Sequence, residues 1–404
     1  MKYLTSIIPF LILFSIPTVG YGEFLETQLK NAALENGYKP PKFVNSAYED
    51  EKADLGKIFF NSEELSFNGN TSCSSCHLDK FSSTDGLPNA VGVGGVGEGP
   101  HRMHSMGALV PRNTLPLWGR ASIDFKTFFW DGKVSLKDEV VISQFGNQAP
   151  SQDPLIVALH LPFVEIREMV VDDEFVSTKL KTETVNSANI IQSELLRRVK
   201  ADLELAERLA SAYSLKTSEL KFIHIIDPIK HFFARKFALK QSKFSQFMTN
   251  NSSLSKDEVA GGIVFYGKGM CSVCHSGPHF SDFKFHTILY PQLGPGKNGF
   301  GSDYGRYNFT LDYRDLNKFR TPPLHNVEKT APFGHSGSVY DIKDAIIGHY
   351  DPFSLYDFET MTDLQRRELF QKIVNVPDTQ PVPSSLSEKE VSMLIEFLKT
   401  LSFE

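Results

Sequence analysis

The chain has 404 residues, and its 42 Lys and Arg against 48 Asp and Glu give a formal net charge of −6. Without a basic surplus, it is not expected to bind nucleic acid. A hydrophobic fraction of 41% and a charged fraction of 22% exclude a disordered or fibrous chain. We therefore expect a globular protein of two or three domains.

The first residues have the pattern of an export signal. Lys2 precedes an almost wholly apolar stretch, residues 4–16, and the turn-forming residues Gly20 and Gly22 follow it. The apolar stretch is shorter than the roughly 20 residues that a membrane-spanning helix needs. We predict a signal peptide over residues 1–22, a periplasmic location and no stable membrane insertion. An uncleaved membrane anchor is the alternative.

All the cysteines lie in two copies of the motif C-x-x-C-H. The first copy contains Cys73, Cys76 and His77, and the second contains Cys271, Cys274 and His275. Two thiols at this spacing can add to the vinyl groups of one haem, and the adjacent His can bind its iron. The motifs therefore predict two covalently bound haem c groups and leave no cysteine for a disulfide.

The sequence around the two motifs repeats. Residues 55–60 precede the first motif and 261–266 precede the second, and matching segments follow both. These segments are Arg112–Leu117 and Trp130–Val134 in the first half, and Arg320–Leu324 and His335–Val339 in the second. Similar helix starts are predicted at Leu136 and Ile342. The repeat predicts two homologous haem domains, residues 23–240 with connecting helices and residues 241–404.

Helix signals outnumber strand signals. Glu194–Tyr213 and Ile229–Met248 are predicted helices between the two domains, and capping boxes at Ser255 and Ser387 predict two more. Residues 91–99 form a glycine-rich loop without the basic helix of a phosphate site. We predict a mainly α fold with little strand, made of two cytochrome c-like haem domains related by an internal repeat.

With these motifs, the sequence resembles the bacterial di-haem cytochrome c peroxidase family, which includes the MauG-like enzymes. The resemblance covers about residues 45–402. It is carried by residues 112–114, 129–132, 319–324 and 331–335, beside the two C-x-x-C-H motifs. It implies that the N-terminal haem meets peroxide, that the C-terminal haem relays electrons, and that a Trp and a calcium ion lie between them.

A haem that cleaves peroxide needs an open iron position and a group that moves a proton between the peroxide oxygens. The family's catalytic Glu directly precedes a Met, which selects Glu168 before Met169. Glu165 is the second candidate, because helical i, i+3 spacing would place it on the same face. His and Met residues at 101–106 are candidates for capping the resting iron, and this point stays open.

The distal ligand of the second haem falls, by family spacing, at His349 or alternatively at Tyr350. The sequence has no Met between Met270 and Met361, which departs from peroxidases with a distal Met and favours the MauG-like branch. The resemblance also implies that Trp130 is the relay between the haems. It implies calcium ligands at Asn113, Thr321 and Pro323.

Three functions compete. The first is an exported peroxidase that reduces H2O2 with electrons from a small cytochrome c or cupredoxin. The second is a MauG-like oxidase that modifies Trp or Tyr residues of a partner protein. The third is a plain electron-transfer cytochrome, which the Glu168 pocket argues against.

Overall fold

The computed structural model describes residues 21–41, 50–171, 184–377, 379–381 and 383–403. The predicted signal peptide lies outside the described residues, except for its last two positions. Within the described part of the chain, no helix is long and apolar enough to cross a membrane.

Helices dominate the described residues, which confirms the predicted fold class. In chain order they are α1 Tyr21–Glu35, α2 Asp50–Asn61, α3 Pro154–His160, α4 Val185–Ala201, α5 Leu203–Ser211, α6 Ile223–Lys236, α7 Lys243–Met248, α8 Lys256–Tyr266, α9 Tyr307–Thr310, α10 Ile342–Ile347, α11 Asp363–Val374 and α12 Glu388–Lys399. The capping boxes at Ser255 and Ser387 open α8 and α12 as predicted.

The strands are short. They are β1 Thr127–Phe128, β2 Val134–Lys137, β3 Val140–Ser143, β4 Phe285–His286, β5 Pro295–Gly296, β6 Gly299–Phe300 and β7 Phe319–Arg320. β1, β2 and β3 form an antiparallel meander in which Phe128 pairs with Val134 and Val134 pairs with Ser143. β4 pairs with β7, and β5 pairs with β6, both antiparallel.

Three helix predictions need correction. The predicted helix start at Leu136 is wrong, because this residue lies in β2 opposite Val141, and a two-residue turn follows. The predicted helix Glu194–Tyr213 breaks at Asp202, whose extended backbone and carboxylate cap α5. The predicted helix Ile229–Met248 is two helices, α6 and α7, because Ser242 caps a new start.

The repeat is visible in the packing of helices. In the first half α2 precedes the C-x-x-C-H motif and packs against α6, and in the second half α8 precedes its motif and packs against α12. Each pair crosses closely at a glycine. A Cβ at Gly56 would lie 1.9 Å from the carbonyl oxygen of Pro228, and one at Gly261 would lie 1.9 Å from that of Met393.

The buried apolar residues form two main clusters. The first spans residues 55–237. The second spans residues 244–401 and also includes Leu29 and Ala33 of α1, together with Tyr38. The N-terminal helix therefore packs with the second core, although the sequence grouped it with the first domain. The predicted domain boundaries themselves stay a prediction.

Candidate haem sites

The first C-x-x-C-H motif adopts a compact turn that prepares its histidine to bind a metal. Cys73–Ser75 form a single 3₁₀ turn, and Nδ1 of His77 lies 2.8 Å from the carbonyl oxygen of Ser83. That hydrogen bond leaves Nε2 as the free ring nitrogen. Burial lowers the pKa of His77 to about 4, which keeps the imidazole neutral, as a metal ligand must be.

A large cavity opens in front of this motif. Its volume is about 210 Å³, and it is partly open to solvent. Predicted site residues from separate parts of the chain share its wall: Cys73, Cys76, His77, Asn113, Trp130, Glu165 and Glu168. The two thiols, a free imidazole nitrogen and a mainly apolar wall fit the haem that the motif predicts.

The two candidate carboxylates lie on a turn and not on a helix, so the predicted helical spacing is wrong. α3 ends at His160, Pro162–Val164 form a 3₁₀ turn, and Glu165 has an extended backbone. The N–H of Glu168 then donates to the carbonyl oxygen of Glu165, at 3.3 Å. The turn still directs both side chains to the cavity.

The glycine-rich loop supports this turn. A Cβ at Gly92 would lie 1.9 Å from the carbonyl oxygen of Arg167, so only glycine permits this close approach. The next residue, Val93, donates its N–H to the same carbonyl at 3.1 Å. Buried Arg102 holds the loop by donating to the carbonyl oxygens of Val91 and Gly92. The loop therefore fixes the backbone beside Glu168.

Glu165 is held in the ionised state by two lysines. Lys133 makes a direct ion pair with one of its oxygens, and Nζ of Lys297 lies 3.3 Å from the other. Burial opposes ionisation, but the two cations outweigh it and hold the pKa of Glu165 below its usual range. Glu165 is therefore a fixed negative charge.

Within the described ranges of the chain, no cation contacts the carboxylate of Glu168 directly. Burial raises its pKa to about 7, and the nearby negative charge of Glu165 contributes to that rise. A carboxyl group near neutrality can both accept and return a proton at physiological pH. The two glutamates, three residues apart, therefore have different protonation behaviour.

The loop that follows residue 99 offers no capping ligand in this arrangement. His101, Met103, His104 and Met106 are exposed, and only Arg102 of this stretch is buried. Their side chains face solvent and not the cavity.

Trp130 lies at the junction of the two halves. Its indole N–H donates to the carbonyl oxygen of Asn113 at 2.9 Å, and its own carbonyl oxygen accepts the N–H of Arg320 at 2.8 Å. Asn113 in turn donates through its amide nitrogen to the carbonyl oxygen of Pro332. Trp130 thus lines the first cavity and is hydrogen-bonded to the second half.

The second motif repeats the first and faces another imidazole. Nδ1 of His275 lies 3.0 Å from the carbonyl oxygen of Phe280, and Nδ1 of His349 lies 2.7 Å from that of Ala345. Their ring centroids are 6.4 Å apart. Two metal–nitrogen bonds of about 2.0 Å, with about 1.1 Å from nitrogen to centroid on each side, require about 6.2 Å. The pair fits one iron between two histidines.

Tyr350, the alternative ligand, packs with the second apolar cluster. The tyrosine that contacts His349 is instead Tyr290, whose hydroxyl lies 3.2 Å from Nδ1 of His349. Burial lowers the pKa of both His275 and His349, which keeps the two rings neutral.

One of the predicted calcium ligands is already engaged by the protein. The carbonyl oxygen of Thr321 accepts hydrogen bonds from Ser281 at 2.7 Å and Arg320 at 3.2 Å. The amide nitrogen of Asn113, and not its oxygen, points to the carbonyl of Pro332. Pro323 is half-buried. A calcium site at these residues stays a prediction, and no role is derived for the ion.

Two functional lysines were missed by the sequence analysis. Lys133 belongs to the repeated segment Trp130–Val134. The repeat marked this segment but did not indicate a role for the lysine. Lys297 lies in the glycine-rich turn between β5 and β6, some 130 residues from Glu165 in the chain, and no local pattern marks it.

The fold and the two C-x-x-C-H sites define an oxidoreductase with two haem sites. The chain belongs to the di-haem cytochrome c peroxidase family, whose profile matches residues 50–253, and it is a peroxidase-type enzyme. The family implies two haems, in agreement with the two motifs.

Known proteins show the same relationship. The chain is 25% identical to the methylamine utilization protein MauG of Methylorubrum extorquens over 84% of its length and 82% of that protein. It is 25% identical to the cytochrome c551 peroxidase of Nitrosomonas europaea, over 92% and 85% respectively. The diheme peroxidase BthA of Burkholderia thailandensis has the same fold, with a TM-score of 0.62 at 19% identity, over 91% of this chain and 89% of that one.

Proposed function

We propose that the protein is an exported peroxidase that reduces H2O2 to water with two covalently attached haem c groups. Cys73 and Cys76 attach the first haem, with His77 as its iron ligand. Cys271 and Cys274 attach the second, with His275 on one face of the iron and His349 on the other. The second haem relays electrons to the first.

One observation carries this proposal: Glu168, a buried glutamate with a near-neutral pKa, lines the same cavity as His77. The haem, when bound, supplies a redox-active iron with an open position for peroxide. Glu168 accepts the proton of the nearer peroxide oxygen and returns it to the farther oxygen, which leaves as water. Overall, H2O2 takes up two electrons and two protons and gives two molecules of water.

Glu165 sets the charge of the pocket. Because Lys133 and Lys297 hold it ionised, it does not compete for the proton. Its negative charge disfavours ionisation of Glu168 and so helps to keep that pKa near 7. Glu165 therefore tunes Glu168 and does not replace it.

The electrons come from a small donor protein, a cytochrome c or a cupredoxin, in the periplasm. The proposed location rests on the signal-peptide pattern of residues 1–22. The position of Trp130, between the first cavity and the second half of the chain, supports its role as the relay. An indole is a large π system that can carry a positive hole.

A MauG-like oxidase that modifies Trp or Tyr residues of a partner is the second candidate. The observation in its favour is that His349, and not a methionine, faces His275. A distal Met raises the potential of a c-type haem, so its replacement by His favours the oxidised iron.

Stopped-flow mixing tests the proposal. Diferric protein is mixed with H2O2, and reduced cytochrome c is then supplied. Steady oxidation of the cytochrome supports the peroxidase. A stable two-electron-oxidised protein that does not oxidise the cytochrome but modifies a partner supports the oxidase. No reaction with peroxide contradicts both, and a pyridine haemochrome assay on the same sample checks for two covalent haems.

A further inference from the structure

Two buried arginines at the junction of the halves have no acidic partner among the residues that the structure describes. Arg120 lines the first cavity, and its Nε donates to the carbonyl oxygen of Pro116 at 2.8 Å. Arg320, in β7, is 1% exposed, and its Nε donates to the carbonyl oxygen of Phe129 at 2.9 Å. Its buried Nη2 has no hydrogen-bond partner.

The two guanidinium groups share one neighbourhood. Their central carbons lie 5.5 Å and 5.6 Å from the ring centroid of Phe125. Among the described residues, neither forms an ion pair with a carboxylate. Arg112, by contrast, binds both Asp131 and Asp303, so the carboxylate of Asp131 is already used.

Two like charges this deeply buried are costly unless an anion joins them. Burial lowers the pKa of Arg120 to about 10 and that of Arg320 to about 9. The charge of Arg120 also contributes to the lower pKa of Arg320. Both groups therefore remain protonated at neutral pH. The site needs an anion that the described part of the chain does not provide.

We propose that Arg120 and Arg320 together bind a propionate carboxylate of the first haem. This inference rests on the haem content of the proposed function. The propionates are the anionic groups of a haem, and Arg120 lines the cavity that contains Cys76 and His77. Guanidinium groups bind carboxylates through paired, charge-assisted hydrogen bonds, and the free Nη2 of Arg320 is available for one.

The assignment links the first haem to the second half of the molecule. Arg320 belongs to the second half, and its backbone N–H donates to the carbonyl oxygen of Trp130. One propionate held by both arginines would therefore tie the first haem to the strand that contacts the relay tryptophan. The two cations also favour the reduced form of this haem, because they disfavour the extra positive charge of ferric iron.

Spectroelectrochemical titration of each haem in the holoprotein tests the proposal. Arg120→Gln and Arg320→Gln should each lower the reduction equilibrium constant of the first haem about tenfold, which is about 59 mV for one electron. The second haem should keep its potential. Arg120→Lys should retain most of the wild-type value, and Arg197→Gln, at an exposed ion pair with Glu194, serves as the surface control.

The proposal is overturned if the potential of the first haem shifts no more than in Arg197→Gln. It is also overturned if only the potential of the second haem shifts. If a Gln variant fails to assemble, resonance Raman spectroscopy of Arg120→Lys replaces the titration. The propionate bending band of the first haem should move, and an unchanged band overturns the proposal. Potentials and bands are measured without peroxide. The inference can therefore fail while turnover persists, and turnover can fail while the potential shift is seen.

Discussion

Glu165 and Glu168 differ at the scale of single residues because their neighbours differ. Lys133 and Lys297 contact the first carboxylate, whereas burial dominates at the second. A paired carboxylate is a permanent charge, and an unpaired buried one can exchange a proton near pH 7. We therefore propose that Glu168 carries the proton chemistry.

Glu168→Gln tests this assignment. It keeps the size and hydrogen bonding of the side chain but removes the titratable group. Cleavage of the peroxide O–O bond, followed by stopped-flow absorbance, should slow about 10²–10⁴-fold. Haem content and the spectrum of the second haem should not change. Glu165→Gln should cost much less, and an equal or larger loss there would reverse the two roles.

The pH dependence follows from the ionised form of Glu168, which accepts the proton. Since its pKa is raised to about 7, the carboxylate fraction falls as the pH drops below that value. The rate of O–O cleavage should therefore rise through pH 7 and be about tenfold lower near pH 6. In Glu168→Gln the profile should be flat over this range. A wild-type profile that is already flat would contradict the role of Glu168.

At the scale of elements, the end of α10 positions His349, the proposed distal ligand. This helix runs over Ile342–Ile347, and the carbonyl oxygen of Ala345 in its last turn accepts the hydrogen bond from His349. The anchored ring then faces His275 at 6.4 Å. One further residue along the chain, Tyr350 packs with the apolar cluster instead.

His349→Met should raise the reduction potential of the second haem by on the order of 0.1 V, within the about 0.8 V that axial ligands span. Spectroelectrochemistry measures the potential, and electron paramagnetic resonance should show loss of the bis-histidine signal. Tyr350→Phe is the matched control and should leave both unchanged. If Tyr350→Phe alone alters the signal, the tyrosine is the ligand.

At the scale of the whole molecule, a buried ion network joins the halves. Arg112 donates to both oxygens of Asp303 at 2.7 Å and 2.9 Å, and to Asp131 at 2.6 Å. All three side chains are almost fully buried. Removing the arginine would leave two buried carboxylates without their ion-pair partner.

Arg112→Met should therefore lower the free energy of unfolding by about 3–5 kcal/mol. The shift of the midpoint in a guanidinium titration measures it. Arg208→Met, at the exposed pair with Glu51, should cost less than about 1 kcal/mol. Equal midpoints for the two variants would mean that the network contributes little to the joining of the halves.

The route of electrons is also a property of the whole molecule. Trp130→Phe should leave both haem spectra nearly intact but slow charge transfer between the haems at least about tenfold, a barrier increase of about 1.4 kcal/mol. Trp118→Phe is the control, because Trp118 packs against Phe237 and Phe403 and does not line the first cavity. Flash-induced or stopped-flow absorbance follows the transfer. Equal rates in wild type and Trp130→Phe would make Trp130 a packing residue.

The sequence by itself determined what short segments encode. Cys73 to His77 and Cys271 to His275 are contiguous, so both candidate haem sites were predicted without a structure. The capping boxes at Ser255 and Ser387 depend on residues three apart, and both helices begin there. The helix prediction at Leu136 was wrong because this residue pairs with Val141 across a turn. Such strand pairing is not encoded in the local sequence pattern.

Only the tertiary structure decided how the candidate residues differ. Glu168 was selected over Glu165 by resemblance, but their opposite pKa shifts come from burial and from Lys297, which a distant hairpin brings to the cavity. Family spacing favoured His349 over Tyr350, but only the end of α10 brings the His349 ring within 6.4 Å of that of His275. Charge and burial act through space and so depend on segments far apart in the chain, whereas attachment motifs and helix caps depend on neighbours.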